Sequence, residues 1–357
     1  MDNKKKISVA MSGGVDSGVC ALLVKNSGFD TFGATMKLYT PSDESVPSNT
    51  FKDISDAKEI CNKLGIEHKV YDFSKEFYDK VINNFMHTYI SGGTPNPCVV
   101  CNKYLKFGAL LDMATRDGAD KIATGHYAKI EEDPSGRFLL RRASDIKKDQ
   151  TYVLWSLSQH QLSHTIFPLG DYTKPEIRQI AEQNNLINAH KSDSQDICFV
   201  PNGDYASFIS RESGYISEPG NYIDMDGNIL GRHKGIIHYT VGQRKGLGIS
   251  MNKHIFVRDK DAEKNTVTLS DEEYIFSNRI ILKNINLIPF DSIDSQIRVQ
   301  AKIRYSQKVA PATAIQTGED EITLLFDEPQ RAPAKGQSAV MYDGDYVVGG
   351  GIISSDR

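Results

Sequence analysis

Residues 10 to 17 read AMSGGVDS and lie between a short apolar run, ISVAM, and a helical stretch from Val15 to Asn26. No other segment constrains the fold as tightly. A strand that breaks at two glycines and reopens as a helix is the local plan of a parallel α/β unit. Gly13 and Gly14 lack Cβ atoms, so backbone N–H groups can close on an anion while the helix N-terminus adds its positive dipole end. The stretch therefore reads as a phosphate cradle, with the hydroxyls of Ser12 and Ser17 beside it. Two better-known cradles are excluded, because the segment has neither GxxxxGK[ST] nor GxGxxG. The bland alternative is a glycine turn with Asp16 as a local helix cap.

The rest of the chain falls into three parts. Over residues 1–200, runs such as TFGATM and KIATG alternate with helical stretches (Ile54 to Leu64, Lys103 to Thr115), the pattern of a parallel sheet flanked by helices. Over 201–279 glycines crowd the sequence (EPGNY, GRHKG, GQRKGLG), as in a compact, turn-rich module. Over 280–357 strand-like alternation dominates (RVQAKIRY, EITLLF, YVVGGGII), which predicts a small β-barrel. A chain of 357 residues accommodates this number of domains. No internal repeat or low-complexity tract interrupts it.

With a net charge of −4, no global field draws in a polyanion, so a nucleic-acid surface must be local. Two basic runs qualify. Between Gly231 and Lys260 stand Arg232, Lys234, Arg244, Lys245, Lys253, Arg258 and Lys260 against the single acid Asp259; between Arg298 and Lys308 there are four bases and no acid. In RVQAKIRY, strand alternation sends Arg298, Gln300, Lys302 and Arg304 to one face and Val299, Ala301, Ile303 and Tyr305 to the packing face. Arg244 and Lys245, set among glycines, offer a loop that can approach an RNA backbone. The start of the chain, MDNKKKISVAM, has no signal-peptide or transit pattern, and no stretch is long enough to span a bilayer, so the expectation is a cytoplasmic protein.

Five cysteines in such a compartment argue against a disulfide framework. Cys20 (VCALLV) and Cys61 (EICNKL) fall within helical patterns and read as core. Cys98 and Cys101 in NPCVVCNK are open to three readings: a zinc half-site, a redox dithiol, or part of a set completed by a distant cysteine. Zinc requires further ligands, for which His87 or His126 are candidates. A thioredoxin-type dithiol usually opens a helix after a strand, whereas this one follows SGGTPNP.

AMSGGVDS resembles the SGGxDS loop of the PP-loop ATP pyrophosphatases, which have the adenine nucleotide α-hydrolase-like fold. TMKLY, NPCVVCNKYLKFG, ATGHYA, KKDQTYVL, SQDICFV, YTVGQRKGLGI, KIRY and KGQSAVMYDGD, in this order, are similar to segments of the tRNA-specific 2-thiouridylase family of the MnmA type. The similarity spans essentially the whole chain. It implies adenylation of the C2 oxygen of a wobble uridine and displacement of AMP by sulfur, with ATP, Mg²⁺, tRNA and a sulfur donor (sulfide or a persulfide carrier protein) as partners and no membrane.

By that resemblance, Ala10, Met11, Ser12, Gly13, Gly14, Val15, Asp16 and Ser17 bind ATP, with Met36 and Gly125 lining the adenosine pocket and Asp16 holding either magnesium or the loop. Asn96, Pro97 and Cys98 lie beside the target base, while His126, Lys148, Asp149, Gln150, Arg304, Tyr305 and Gln337 contact tRNA. Cys101 and Cys198 match the two sulfur-handling positions. Cys98 departs from the pattern, since many members carry an aspartate there. The set Cys98, Cys101 and Cys198 instead resembles that of tRNA thiolation enzymes with a 4Fe–4S cluster, whose fourth iron is open. The competing route uses a persulfide on Cys198 and a nucleophilic Cys101. A non-catalytic tRNA-binding protein and a dithiol oxidoreductase are the alternatives of other classes.

Overall fold

The strand that runs into the glycine loop sits in the middle of a five-stranded parallel sheet. The computed structural model describes residues 4–39, 50–188, 197–200 and 203–355. Ser194 to Asp196 of the SQDICFV segment, and Pro201, where the glycine-rich part begins, lie outside the described residues. The chain divides into two compact units: Met1–Val81 with Cys98–Pro201 and Asp345–Val347, and Ile82–Pro97 with Asn202–Gly344 and Val348–Arg357.

In the first unit the strands are β1 (Lys6–Ala10), β2 (Asp30–Lys37), β3 (Glu67–Asp72), β4 (Lys121–Ala123), β5 (Ala128–Glu132), β6 (Phe138–Arg142) and β7 (Thr165–Ile166). The parallel sheet has the order β3-β2-β1-β4-β7, and β5 and β6 form an antiparallel hairpin. Helix α1 (Val15–Asn26) buries Val15, Ser17, Gly18, Val19, Cys20, Ala21, Leu22 and Val24, so it is a core helix with little polar face. It shares one apolar cluster with Ile7 and Val9 of β1 and with Ala57, Ile60 and Cys61 of helix α2 (Thr50–Leu64). Cys20 and Cys61 are buried and free, as their helical patterns suggest, and burial pushes the Cys61 thiol up to about 12.

The helix expected over Lys103 to Thr115 begins earlier and changes register. It starts as α-helix at Pro97–Cys101, widens to π-helix over Asn102–Ala109, and returns to α-helix over Leu110–Arg116. A π segment carries i→i+5 bonds, which a 3.6-residue apolar period does not announce. The buried Asn102 side chain ties the turn down by donating Nδ2–H to the Val153 carbonyl at 2.9 Å.

In the second unit the helices Asn83–Ile90 and Tyr205–Ser213 pack through Phe85 against Phe208, edge on, and Tyr89 against Tyr205, stacked with centroids 4.6 Å apart. Strands β8 (Gly220–Ile223), β9 (Ile229–His233), β10 (Phe256–Asp261) and β11 (Thr266–Ser270) form a four-stranded sheet in the order β10-β11-β8-β9. The remainder is a barrel of β12 (Phe276–Leu287), β13 (Ile297–Lys302), β14 (Ala310–Gly318), β15 (Glu321–Arg331), β16 (Ser338–Asp343) and β17 (Tyr346–Ser355). Its order is β12-β15-β14-β13-β16-β17, and pairing of β12 with β17 closes it. Closure removes the sheet edges.

Two expectations about β13 are corrected. Alternation holds from Ile297 to Ile303, but Tyr305 does not pack: the strand ends at Lys302, the chain turns, and the ring is 48% exposed. Arg298 is not a free cation either, since its guanidinium forms a two-pronged ion pair with Asp327 at 2.9 and 2.7 Å. Asp327 lies on β15, 29 residues further along the chain, and could not be seen as a partner in the local sequence. The run between Gly231 and Lys260 is likewise less basic on its surface than it reads, because Arg258 and Lys260 are buried.

Candidate active site

In the sheet, β2 lies on one side of β1 and β4 on the other, so β1 and β4 flank the point where the strand order reverses. Ligands of open α/β sheets bind outside the carboxyl ends of the strands at that switch point. The loop after β1 is Met11 to Gly14, and the loop after β4 contains Gly125 and His126. Both glycine positions are forced. Gly13 has φ +69, and a Cβ there would stand 2.5 Å from the Asp53 carbonyl oxygen. At Gly125 a Cβ would stand 2.8 Å from the Asp16 carbonyl carbon and 3.0 Å from the Ser17 nitrogen, so the β4 loop rests directly on the first turn of α1.

Hydrogen bonds shape the cradle. Ala10 ends β1, and the buried Met11 donates its N–H to the Ala34 carbonyl of β2 at 2.8 Å. Ser17 Oγ accepts from the Ser12 N–H at 3.2 Å and donates to the Gly14 carbonyl at 3.0 Å. Gly14 occupies the helix cap, so no side chain takes the N–H donors of the first turn there. The buried Asn188 amide donates to the Gly13 carbonyl at 3.1 Å and fixes the turn from behind. Met36, on β2, is half-buried.

Asp16 is the hub of the loop. Lys174 Nζ lies 2.8 Å from each of its carboxylate oxygens, and the Tyr127 hydroxyl donates to Oδ1 at 2.8 Å. Tyr127 is held in turn by Gln150: its N–H donates to Gln150 Oε1 at 2.9 Å, and the Gln150 N–H donates back to the Tyr127 carbonyl at 2.9 Å. The neighbouring Asp149 is buried, accepting from the Ala143 N–H and from the Thr151 hydroxyl. Half-buried Lys148 closes a turn by donating its N–H to the Asp145 carbonyl. His126 is 8% exposed, bonded to Thr124 Oγ1 at 2.7 Å and packed between Phe107 and Phe167. Burial, assisted by the positive charge of Lys106, holds its imidazole well below the ordinary range, so the ring is neutral.

Of the three cysteines singled out by the sequence, burial aside, Cys98 and Cys101 both raise the Cys198 thiol, and Cys98 raises that of Cys101. Cys98 and Cys101 are one helical turn apart, and Cys198 is anchored by the buried Phe199, whose ring meets Phe77 edge on at 5.5 Å. Burial pushes the Cys101 thiol up to about 11, opposed by the charge of Lys106. Cys198 is pushed up to about 12, by burial first and then by Cys101 and Cys98. Cys98 is raised as well, with Lys106 pulling against burial. Cys98 and Cys198 nonetheless meet solvent. Among the described residues no three His, Cys, Asp or Glu side chains stand in a metal-holding arrangement.

The second unit holds the remaining residues named from the sequence. Half-buried Asn96 and buried Pro97 end a loop, and the Gln337 amide donates to the Thr94 and Pro95 carbonyls at 3.2 and 3.0 Å. Arg304 Nη2 donates to the Val241 and Ala332 carbonyls at 3.0 and 2.8 Å. Tyr305 projects to solvent with Lys302 Nζ 5.6 Å from its ring centroid.

Tyr127, Lys174, Asn188 and Lys106 were not singled out by the sequence. Lys174 carried a partial signal: TKPE announces a helix start, and the Thr173–Glu176 capping box is present. Nothing local indicated that the first lysine of that helix would face Asp16.

A glycine loop at the switch point of a parallel sheet, opening onto a core helix and backed by an Asp–Lys–Tyr cluster, defines an α/β domain of the phosphate-binding class. The family model described as tRNA methyl transferase HUP domain matches residues 5–202, the tRNA methyl transferase PRC-barrel domain 207–271, and the aminomethyltransferase beta-barrel domain 277–353. Proteins named tRNA-specific 2-thiouridylase MnmA are similar over nearly their whole length. The protein from Clostridioides difficile is 49% identical over 98% of both chains, and that from Clostridium acetobutylicum is 48% identical over 98% of this chain and 99% of its own. The protein from Treponema denticola is 47% identical over 98% of both. The chain belongs to the tRNA-specific 2-thiouridylase family. Among the described residues no helix is long and apolar enough to cross a membrane.

Proposed function

We propose that the protein is a tRNA 2-thiouridine synthase that consumes ATP to activate the C2 oxygen of a wobble uridine and replaces it with sulfur. The observation that carries this reading is a glycine cradle at the sheet switch point in the same compact unit as Cys98, Cys101 and Cys198. A uracil carbonyl oxygen is a poor leaving group; as an AMP ester it departs readily. The N–H groups of Gly13 to Asp16 and the Ser12 hydroxyl are the donors for the pyrophosphate, joined by the Ser17 hydroxyl when it turns away from the Gly14 carbonyl. Mg²⁺ enters with the nucleotide on its phosphate oxygens. Lys174 and Tyr127 hold the Asp16 carboxylate and with it the loop. Gly125 lets the β4 loop approach close enough to form the adenosine side.

The sulfur step has two routes. In the first, which we favour, Cys98, Cys101 and Cys198 would hold a 4Fe–4S cluster that would supply the sulfide; thiolates suit that group, and the three side chains, which do not stand in a metal-holding arrangement here, would have to close on it. In the second, the outer sulfur of a persulfide on Cys198 displaces AMP from C2, and the Cys101 thiolate then attacks Cys198 Sγ, releasing thiouridine and leaving a Cys101–Cys198 disulfide that an external thiol reduces, with Cys98 dispensable. In both routes Lys106 faces the thiols as a cation and favours their ionised form. A base flipped out of an anticodon loop costs little to present, and Asn96, Pro97, Tyr305 and the Lys148–Gln150 turn are the contacts expected for it and its stem.

The family models' descriptions speak of methyl transfer, whereas the names of the similar full-length proteins speak of thiolation. One experiment separates the readings. Anaerobically purified protein is incubated with tRNA, ATP, Mg²⁺ and sulfide or a persulfide donor, and the nucleosides are resolved by mass spectrometry. Thiouridine with equimolar AMP is expected; methyluridine, or thiouridine without ATP, would overturn the proposal.

A further inference from the structure

The segment Gly92–Pro97 lies within the sequence matched by the HUP-domain model, yet up to Pro97 it packs with the second unit. The helix before it, Asn83–Ile90, is anchored there by Phe85 on Phe208 and Tyr89 on Tyr205. Its three consecutive carbonyls, at Gly93, Thr94 and Pro95, each accept from a side chain distant in sequence. Lys260 Nζ donates to Gly93 O at 3.2 Å and to Tyr239 O at 2.8 Å; Gln337 Nε2 donates to Thr94 O at 3.2 Å and Pro95 O at 3.0 Å. The Thr94 N–H is taken by the Lys335 carbonyl at 2.7 Å.

The chemistry of the loop explains why it is held through its carbonyls. Pro95 and Pro97 have no N–H, so the segment cannot join a strand ladder and lacks donors for a self-bonded turn. Lysine is an expensive choice of clamp. Its side chain is 4% exposed, its Nζ is 5.8 Å from the Tyr89 ring centroid, and its removal from water costs free energy that only local partners can offset. Burial lowers its ammonium to about 7, against the weaker pull of Asp259. The neutral amine still has two N–H donors for the two carbonyls, so the clamp persists in either protonation state.

We propose that Lys260 and Gln337 are positioning residues that hold the loop Gly92–Pro95 and thereby set the placement of Asn96 and Pro97 for the target base. This rests on the reading of Asn96–Pro97 as the segment beside that base. Gln337, expected from the sequence to touch tRNA, also holds the loop that leads into the segment expected beside the target base. The second unit thus does more than bind RNA: it shapes the part of the N-terminal sequence that receives the uridine.

The test uses the full chain with Lys260→Met, Lys260→Arg and Gln337→Leu, following amide hydrogen exchange and steady-state thiolation together. Exchange at Gly93, Thr94 and Asn96 is expected to rise about tenfold or more in Lys260→Met and Gln337→Leu, the equivalent of losing one charged or two neutral hydrogen bonds. Exchange in α1 should stay unchanged. Thiolation kcat should fall about tenfold to a hundredfold with KM for ATP unmoved, since misplacement by an ångström suffices for that loss. Lys260→Arg, which keeps donors, should recover part of it. Unchanged loop exchange, or wild-type kcat despite faster exchange, would overturn the inference, as would a rise in exchange across the whole chain. Should Lys260→Met fail to fold, Gln337→Leu at its half-buried site carries the same readouts. Wild type that makes no thiouridine would refute the functional reading, while loop exchange would still decide whether the clamp exists.

Discussion

Lys174 Nζ stands 2.8 Å from both carboxylate oxygens of Asp16, an ion pair that joins two helix starts 158 residues apart. The lysine side chain is 8% exposed and the aspartate 31%, so the pair is partly shielded from solvent. Removing the carboxylate takes a charged partner at 2.8 Å away from a buried lysine. Asp16→Ala should lower stability by about 1–3 kcal/mol, less than for a fully buried pair, and abolish thiolation, with tRNA binding near normal. The double variant Asp16→Asn, Lys174→Met should regain much of the melting temperature and none of the activity. Nucleoside mass spectrometry and thermal melting check both arms; wild-type thiolation by Asp16→Ala would refute the role of the loop.

Gly125→Ala tests the contact between the β4 loop and α1. The added methyl meets backbone atoms at 2.8 and 3.0 Å, which cannot rotate away. The first turn of α1 must shift, and KM for ATP should rise about tenfold or more while the affinity for tRNA is kept. Equilibrium nucleotide binding measures it directly.

Cys98 separates the two sulfur routes. Under the cluster route, Cys98→Ala should lose bound iron and activity together, and Cys98→Asp should lose iron yet recover some turnover with a persulfide donor. Iron and acid-labile sulfide are measured after anaerobic reconstitution. Iron-free wild type that thiolates tRNA from a persulfide donor would exclude the cluster.

Lys260 makes stability depend on pH in a direction that can be stated in advance. Its folded-state value, about 7, lies below its ordinary 10.5, so between these the unfolded chain binds more protons than the folded one. Stability from this group therefore rises with pH through that window and is weakest below about 7. The charge of Asp259 pulls the other way, and Tyr89, held protonated by burial, works in the opposite sense once tyrosines ionise. Chemical denaturation from neutral to mildly alkaline pH should show the rise in wild type and a flatter profile in Lys260→Met; parallel profiles would exclude Lys260 as the source.

Arg304 and Tyr305 are adjacent but should fail differently. Arg304→Ala strands the Val241 and Ala332 carbonyls and should lower the melting temperature. Tyr305→Ala removes an exposed ring and should leave melting unchanged while weakening tRNA binding by about tenfold, the worth of one stacked base. Filter binding and melting on the two variants are sufficient.

What the sequence by itself determined is local. The order ISVAM–SGG–VDS fixed a strand, a turn that needs glycine and a helix start, because backbone sterics act between neighbours in the chain. Alternation over RVQAKI predicted the inner and outer faces of β13, and helical spacing put Cys20 and Cys61 in the core. Tertiary structure decided what pairs across the fold: Lys174 with Asp16, Asp327 with Arg298, Lys260 and Gln337 with the carbonyls of Gly93 to Pro95. It also decided the register shift after Cys101 and the burial of His126. Charge and hydrogen-bond partners are chosen by distance in space, and a side chain that reads as a solvated cation in its own segment becomes an internal clamp only when an acceptor from elsewhere arrives beside it.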